Sequence, residues 1–252
     1  FTGFAGLNTL FVGLCHHPEF KHLDFSGLKL TISGGTSLTI TAANVWQETT
    51  GCTITEGYGL SETSPVVCMN EPGNEQLGSI GKPLINTIVE IWDEFGQPVA
   101  DGEEGELVVK GPQVMQGYWN MPEQTEQAII NGFFKTGDVA MKRPNGCIKV
   151  VDRLKDMIIV SGFNVYPNEV EEVLVSFPGV LEAAVVGQED ERTGERVCAY
   201  VSVDGEFEIQ QLKDYCREQL TAYKVPKSIK ILDVIPKSTV GKILRRELRK
   251  PA

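Results

Sequence analysis

The pattern of apolar and polar positions changes character twice along the chain. In residues 1–70, short apolar runs alternate with stretches of helical spacing. LKLTISGG (28–35) reads as a buried strand ending in glycines, ITAANVWQETT (40–50) as a helix, and CTITEGYG (52–59) as a second strand running into a glycine turn. Strand, helix, strand predicts a parallel α/β sheet. Residues 77–152 are crowded with turn signals: Asp93-Glu94-Phe95-Gly96, Asp101-Gly102 and Pro144-Asn145-Gly146. The runs between them, TIVEIW (87–92), GELVVKG (105–111) and CIKVVD (147–152), predict a small barrel or open antiparallel sheet.

Residues 157–252 change again. MIIVSG predicts a strand, and NEVEEVLVSF a helix with Asn168 as its cap and Glu171 at the capping-box position. Val170, Val173, Leu174 and Phe177 follow at helical spacing. Then come strands AAVVG (183–187) and RVCAYVSV (196–203), helix IQQLKDYCREQL (209–220), strand SIKILDV (228–234) and a short basic helix KILRREL (242–248). The expected fold class is α/β followed by a compact α+β domain, with the boundary in RLKD at 153–156.

Composition narrows the function. Apolar content of 41% and charged content of 23% suit a soluble globular protein. A net charge of −11 argues against a broad nucleic-acid surface, which requires clustered Lys and Arg. The six cysteines (15, 52, 68, 147, 198 and 216) form no C-x-x-C pair, so reduced thiols and a cytoplasmic setting are expected. All three histidines (16, 17 and 22) lie near the start, which disfavours zinc or Ser-His-Asp chemistry further along. No apolar run approaches the ~20 residues of a spanning helix, and the start lacks the basic segment of a signal peptide. It opens on apolar residues with neither cap nor turn, as though cut from a longer chain.

Several segments carry candidate chemistry, each beside a plainer alternative. SGGTSL (33–38) could bring backbone close to a flat ligand, or be an ordinary strand-ending turn. In EGYGLSET (56–63), Tyr58 could stack on a purine, Ser61 bond a phosphate oxygen and Glu62 hold Mg²⁺. Alternatively, Ser61 or Glu62 caps a helix. Asp138 in GFFKTGDVA (132–140) could accept from both hydroxyls of a ribose, or be a turn residue. Arg153 could add a ribose or phosphate contact and Lys155 could act as a pivot, or both could belong to a solvated loop. Lys242, after Gly241, could neutralise charge developing on a phosphate, or be one more solvated cation.

The joint order of these segments resembles the adenylate-forming superfamily of acyl-CoA synthetases, luciferases and peptide-synthetase adenylation domains. YGLSET, GELVVKG, VMQGYW, KTGD, DRLKD and PKSTVGKILRREL match successive core motifs in order. NGFFKTGDVAMKRPNGCIKVVDRLKD (131–156) resembles the fatty acyl-CoA synthetase signature. SGFNVYPNEVEEVL and LTAYKVPK sharpen the likeness to bacterial long-chain fatty-acid–CoA ligases. Ser61 stands where the family more often has Thr, which keeps the hydroxyl. Ile159 replaces a lysine that luciferases use in oxidation.

The resemblance implies the following. Residues 1–152 end a large adenylation domain, α/β at 1–75 and a β-barrel subdomain at 76–152; 153–156 is a hinge and 157–252 a mobile domain. Gly34, Gly35, Thr36, Tyr58 and Gly59 bind the nucleotide. Ser61 touches phosphate, Glu62 binds Mg²⁺, and Asp138 and Arg153 hold the ribose. Lys155 is the hinge, Lys242 stabilises the adenylation transition state, and Ser161, Gly162, Phe163 and Asn164 line a pantetheine tunnel. The expected substrates are a long-chain fatty acid, ATP and CoA, with peripheral contact at the inner membrane face allowed by the greasy acid. A carrier-loading fatty acyl-AMP ligase or peptide-synthetase domain is the rival enzyme; a non-catalytic nucleotide- or partner-binding module is the rival of another class. The family's phosphate loop is not among these residues, so the chain by itself is expected to be inactive.

Overall fold

The computed structural model describes residues 1–205, 207–239 and 241–249. The chain divides into two compact units, Phe1–Val150 and Val151–Ala252.

The first unit opens with a five-stranded sheet of β1 (Gly3–Gly6), β2 (Leu30–Ser33), β3 (Ile54–Gly59), β4 (Val66–Met69) and β5 (Lys82–Pro83), in that order. It is parallel across β1–β3 and antiparallel from β3 to β5, so the parallel expectation covers only its first part. Helices α1 (Asn8–His16) and α2 (Ile40–Thr50) provide the crossovers. Thr39 Oγ1 caps α2 by accepting from the Ala42 N–H at 3.3 Å, and Gly51 ends it at φ 72°. The helix buries Ala42, Ala43 and Trp46 with Phe11, Phe20 and Ile54. The Trp46 indole N–H donates to Thr31 Oγ1 at 3.2 Å, satisfying a polar atom the core would otherwise strand.

A second sheet contains β6 (Ile88–Trp92), β7 (Glu104–Lys110), β8 (Ile129–Ile130), β9 (Phe133–Lys142) and β10 (Ile148–Arg153), ordered β10-β9-β7-β6 with β8 on β9. Helix α3 (Pro122–Ala128) precedes β8. Val67, Cys68, Ile80, Ile91, Leu107, Val109, Ala140 and Ile148 pack as one core. The hydrophobic pattern did not reveal β9, because Lys135, Thr136, Gly137 and Asp138 interrupt it.

The second unit builds β11 (Ile158–Val160), β12 (Phe163–Val165), α4 (Pro167–Ser176), β13 (Val180–Asp190), β14 (Gly194–Val203), α5 (Ile209–Gln219), β15 (Ser228–Ile231) and α6 (Arg245–Leu248). The strands run β12-β11-β14-β13, with β15 parallel on β14. Helix α4 begins at Pro167, whose fixed φ suits a first helical position. Asn168 is therefore inside the helix rather than its cap, and Glu171 turns to the Val185 N–H at 2.7 Å, so no capping box forms. The basic helix expected over 242–248 is a single turn, Arg245–Leu248. No helix among the described residues is long and apolar enough to cross a membrane.

Candidate functional site

In the first unit the candidate residues gather at the carboxyl ends of two adjacent parallel strands. Ser33, the last residue of β2, is in register with Glu56 of β3, so Gly34–Thr36 leave the sheet beside Gly57–Gly59, which stay paired with β4, and Leu60–Thr63 follow from the end of β3. Ligands of open α/β sheets sit beyond this edge. Gly35 has φ +81°, and Thr36 Oγ1 accepts from the Asn8 N–H at 3.4 Å. Gly59 is required by the chain itself, since a Cβ there would lie 1.7 Å from the Pro65 carbonyl oxygen. Ser61 is exposed at the start of a 3₁₀ turn, Ser61–Thr63, for which Leu60 holds the cap position.

Asp138 owes its direction to a bulge. The step from Glu106 to Val108 on β7 faces the longer step from Val139 to Lys135 on β9. The excess holds Thr136, Gly137 and Asp138 out of the ladder, as bulges beside functional sites do. Thr136 Oγ1 donates to the Leu107 carbonyl at 2.8 Å and accepts from the Asp138 N–H at 3.1 Å. Gly137 supplies φ +71° and gives its N–H to Glu106 Oε1 at 3.1 Å. Asp138, 3% exposed, then receives the Tyr58 hydroxyl at 2.5 Å. The structure thus joins two candidates that lie far apart in sequence, and Asp138 is a strand residue rather than one in a turn.

Glu62 is held by two groups that sequence reasoning did not single out. Met115 N–H donates to its carbonyl at 2.8 Å, and the Tyr118 hydroxyl donates to its Oε1 at 3.1 Å. Burial, with the Glu62 bond and charge, raises the Tyr118 pKa. Both residues belong to the quoted motif VMQGYW, so the signal was present without an assigned role. Glu56, a carboxylate given no role by the sequence, is 8% exposed within β3. It accepts from the Gly78 N–H at 3.2 Å and from the Leu38 N–H. Burial pushes its pKa to about 7, against the pull of those bonds and of Arg143.

The remaining candidates belong to the second unit. Arg153 and Lys155 are exposed, and Lys155 is in a 3₁₀ turn, Leu154–Asp156. Ser161 and Gly162, at φ 51° and 83°, make the turn between β11 and β12. Phe163 stacks on Tyr223 with centroids 4.8 Å apart and planes at 22°, and Asn164 pairs with Ile159. Lys242 is exposed in a hairpin where its carbonyl accepts from the Ser238 N–H at 2.8 Å and its N–H donates to Ser238 Oγ at 3.2 Å. No cluster of three or more His, Cys, Asp or Glu able to hold a metal occurs among the described residues.

Two family profiles match the chain: AMP-binding enzyme over residues 1–119, and AMP-binding enzyme C-terminal domain over 169–242. It is 48% identical over 251 residues to a long-chain-fatty-acid–CoA ligase of Yersinia pestis, covering 99% of this chain and 45% of that protein. It is 47% identical over 254 residues to the ligase of that name in Escherichia coli O6:H1, covering 100% of this chain and 45% of that protein. The chain therefore spans about half the length of these curated relatives. The crystal structure of the anthranilate CoA ligase AuaEII in complex with anthranoyl-AMP superimposes with a TM-score of 0.92 at 31% identity, over 98% of this chain and 49% of that one. With both profiles matched in order and near-half identity sustained from end to end, the chain belongs to the adenylate-forming AMP-binding enzymes.

Proposed function

We propose that the protein activates a long-chain fatty acid with ATP and passes the acyl group to CoA. In the first step a carboxylate oxygen attacks the α-phosphate and pyrophosphate leaves. In the second the CoA thiolate attacks the acyl carbon and AMP leaves. The observation that carries this reading is the 48% identity, across 99% of the chain, to a ligase named for that substrate class. The geometry supports it with parts suited to positioning and charge rather than to an elaborate base, which is what phosphoryl-centre chemistry requires.

In this reading Gly34, Gly35 and Thr36 bound the adenine with Tyr58 and Gly59. The Tyr58 hydroxyl orients Asp138, whose carboxylate, with Arg153, takes the ribose hydroxyls. Ser61 bonds phosphate, and Glu62, steadied by Tyr118, would hold Mg²⁺, which supplies charge neutralisation on the phosphates when bound. Lys155 is the hinge, Ser161–Asn164 line the pantetheine path, and Lys242 offsets charge at the α-phosphate. The acyl substrate partitions into lipid, so the enzyme meets it at the inner membrane face. Lys242→Ala is expected to lower adenylation by about 10²–10³ while sparing thioester formation from supplied acyl-adenylate.

The deciding experiment measures CoA-dependent AMP release by the protein at its full natural length, with acids of graded chain length. Release that rises with chain length and requires free CoA is expected. Acyl-adenylate that accumulates with CoA present and discharges only onto a carrier protein would overturn the assignment.

A further inference from the structure

Charged side chains meet beneath the segment that carries Lys242. Arg245, three residues on, donates Nη2 to both Glu171 oxygens at 2.8 and 2.7 Å, Nε to Oε1 at 3.2 Å, and Nη2 also to Asn168 Oδ1 at 3.2 Å. Its Nη1 lies 3.9 Å from Asp156 Oδ2, and Arg249, one turn further, donates to Asp156 Oδ1 at 2.7 Å. The Arg245 and Glu171 side chains are only 18% and 13% exposed. Asp156, 8% exposed, closes the Leu154–Asp156 turn that holds Lys155. At the entrance to that turn, the Asn168 N–H donates to Asp152 Oδ2 at 2.7 Å and its Nδ2 to the Val151 carbonyl at 3.1 Å.

A two-pronged guanidinium–carboxylate bond fixes direction as well as distance. Enclosure raises the cost of parting such a pair, because either partner alone would be a buried charge. The Lys242 hairpin is closed by the Leu244 N–H donating to the Pro236 carbonyl at 2.9 Å, and α6 is pinned by the Tyr200 hydroxyl donating to the Leu248 carbonyl at 3.0 Å. From Lys242 to Asp156 the path is therefore three residues of chain and a guanidinium, with no slack segment between.

We propose that Arg245 is a positioning residue for Lys242: with Arg249 it clamps the Lys242 segment to Asp156 of the 153–156 turn and to Glu171 of α4, so that any change in that turn carries Lys242 with it as one body. The functional half of this inference rests on the role given to Lys242 above; the clamp itself does not.

Arg245→Gln and Arg249→Gln, made in the protein at its full natural length, test it. Amide hydrogen exchange is read at Met157, whose N–H bonds the Arg153 carbonyl, and at Ser238 and Leu244, with Val197–Val201 of β14 as the internal reference. ATP–pyrophosphate exchange and thioester formation from a supplied acyl-adenylate are measured on the same samples. In Arg245→Gln, turn and hairpin amides should both exchange at least about tenfold faster, with β14 unchanged. Pyrophosphate exchange should fall by about 10²-fold through kcat, leaving the KM for ATP and the thioester step unchanged. Arg249→Gln removes only the more exposed partner and should loosen the turn amide in the same direction, which decides the matter if Arg245→Gln fails to fold. Hairpin loosening with a rigid turn, faster exchange throughout the unit, or equal loss of both half-reactions would overturn the proposal. Absence of pyrophosphate exchange in the unmodified protein would instead refute the ligase reading, while the exchange pattern still decides the clamp.

Discussion

Tyr58 and Asp138 show how a single hydrogen bond can be put to the test. Tyr58→Phe keeps the ring and deletes only the hydroxyl that reaches Asp138 at 2.5 Å. Bonds to charged groups contribute about 1.5–3 kcal/mol, so the KM for ATP should rise by roughly tenfold or more with kcat little changed. An unchanged KM in steady-state assays would show that this bond does not orient the ribose carboxylate. Glu56 gives a second test, through pH. Its native pKa of about 7 lies above its ordinary 4.5, so between those values the folded state binds more protons than the unfolded state. Stability conferred by its neutral form is thus full below the unfolded value and lost as pH rises towards the folded one. Glu56→Gln removes this penalty while an amide oxygen still accepts from Gly78 and Leu38. The stability of Glu56→Gln relative to the unmodified chain should increase by about 3 kcal/mol from pH 4.5 to 7 in urea titrations. A difference that stays flat with pH would mean that burial does not raise the Glu56 pKa. Residue types raised Asp138, after Gly137, and Glu62, after Ser61, as candidates, each beside a plainer reading as a turn residue or a cap. Their partners Tyr58 and Tyr118 depend on contacts spanning dozens of residues, which no local pattern encodes.

At the scale of elements, periodic segments were legible and aperiodic ones were not. Helix α2 spans the residues expected for it, 40–50, and the structure shows Ala42, Ala43 and Trp46 buried between a Thr39 cap and a Gly51 stop. For α4 the apolar stripe placed the helix, but the cap was misread: Pro167 starts it, and Glu171 is committed to Arg245 and Val185 instead of the helix start. Strand β9 escaped because its bulge breaks the period of two, and that same irregularity aims Asp138. Gly137→Ala measures what the bulge requires. A Cβ there meets nothing within 4 Å, so only the left-handed φ of +71° opposes it. The expected cost is about 1–2 kcal/mol by chemical denaturation. If the variant proves as stable as the parent, the left-handed turn is not what holds Asp138 in place.

For the molecule as a whole, the way apolar side chains are shared decides which parts can stand alone. Among the described residues, the cores around Trp46 and around Leu107 draw on residues before Val151. Those around Leu174 and around Ile235 draw on described residues after it. A domain needs a core of its own more than it needs its neighbour, and Val151–Ala252 has one in which Ile158, Val165, Val170, Leu174, Val185 and Leu212 are almost wholly buried. Produced separately, that unit should unfold in a single cooperative urea transition. Leu174→Ala should then lower its stability by about 2–5 kcal/mol, the usual range for a fully buried leucine. In the 252-residue chain, Trp46→Ala should leave the transition of this unit unmoved, as expected of a domain with its own core. A broad, non-cooperative transition in the isolated unit, or a Trp46→Ala effect that reaches it, would show that this core does not stand by itself.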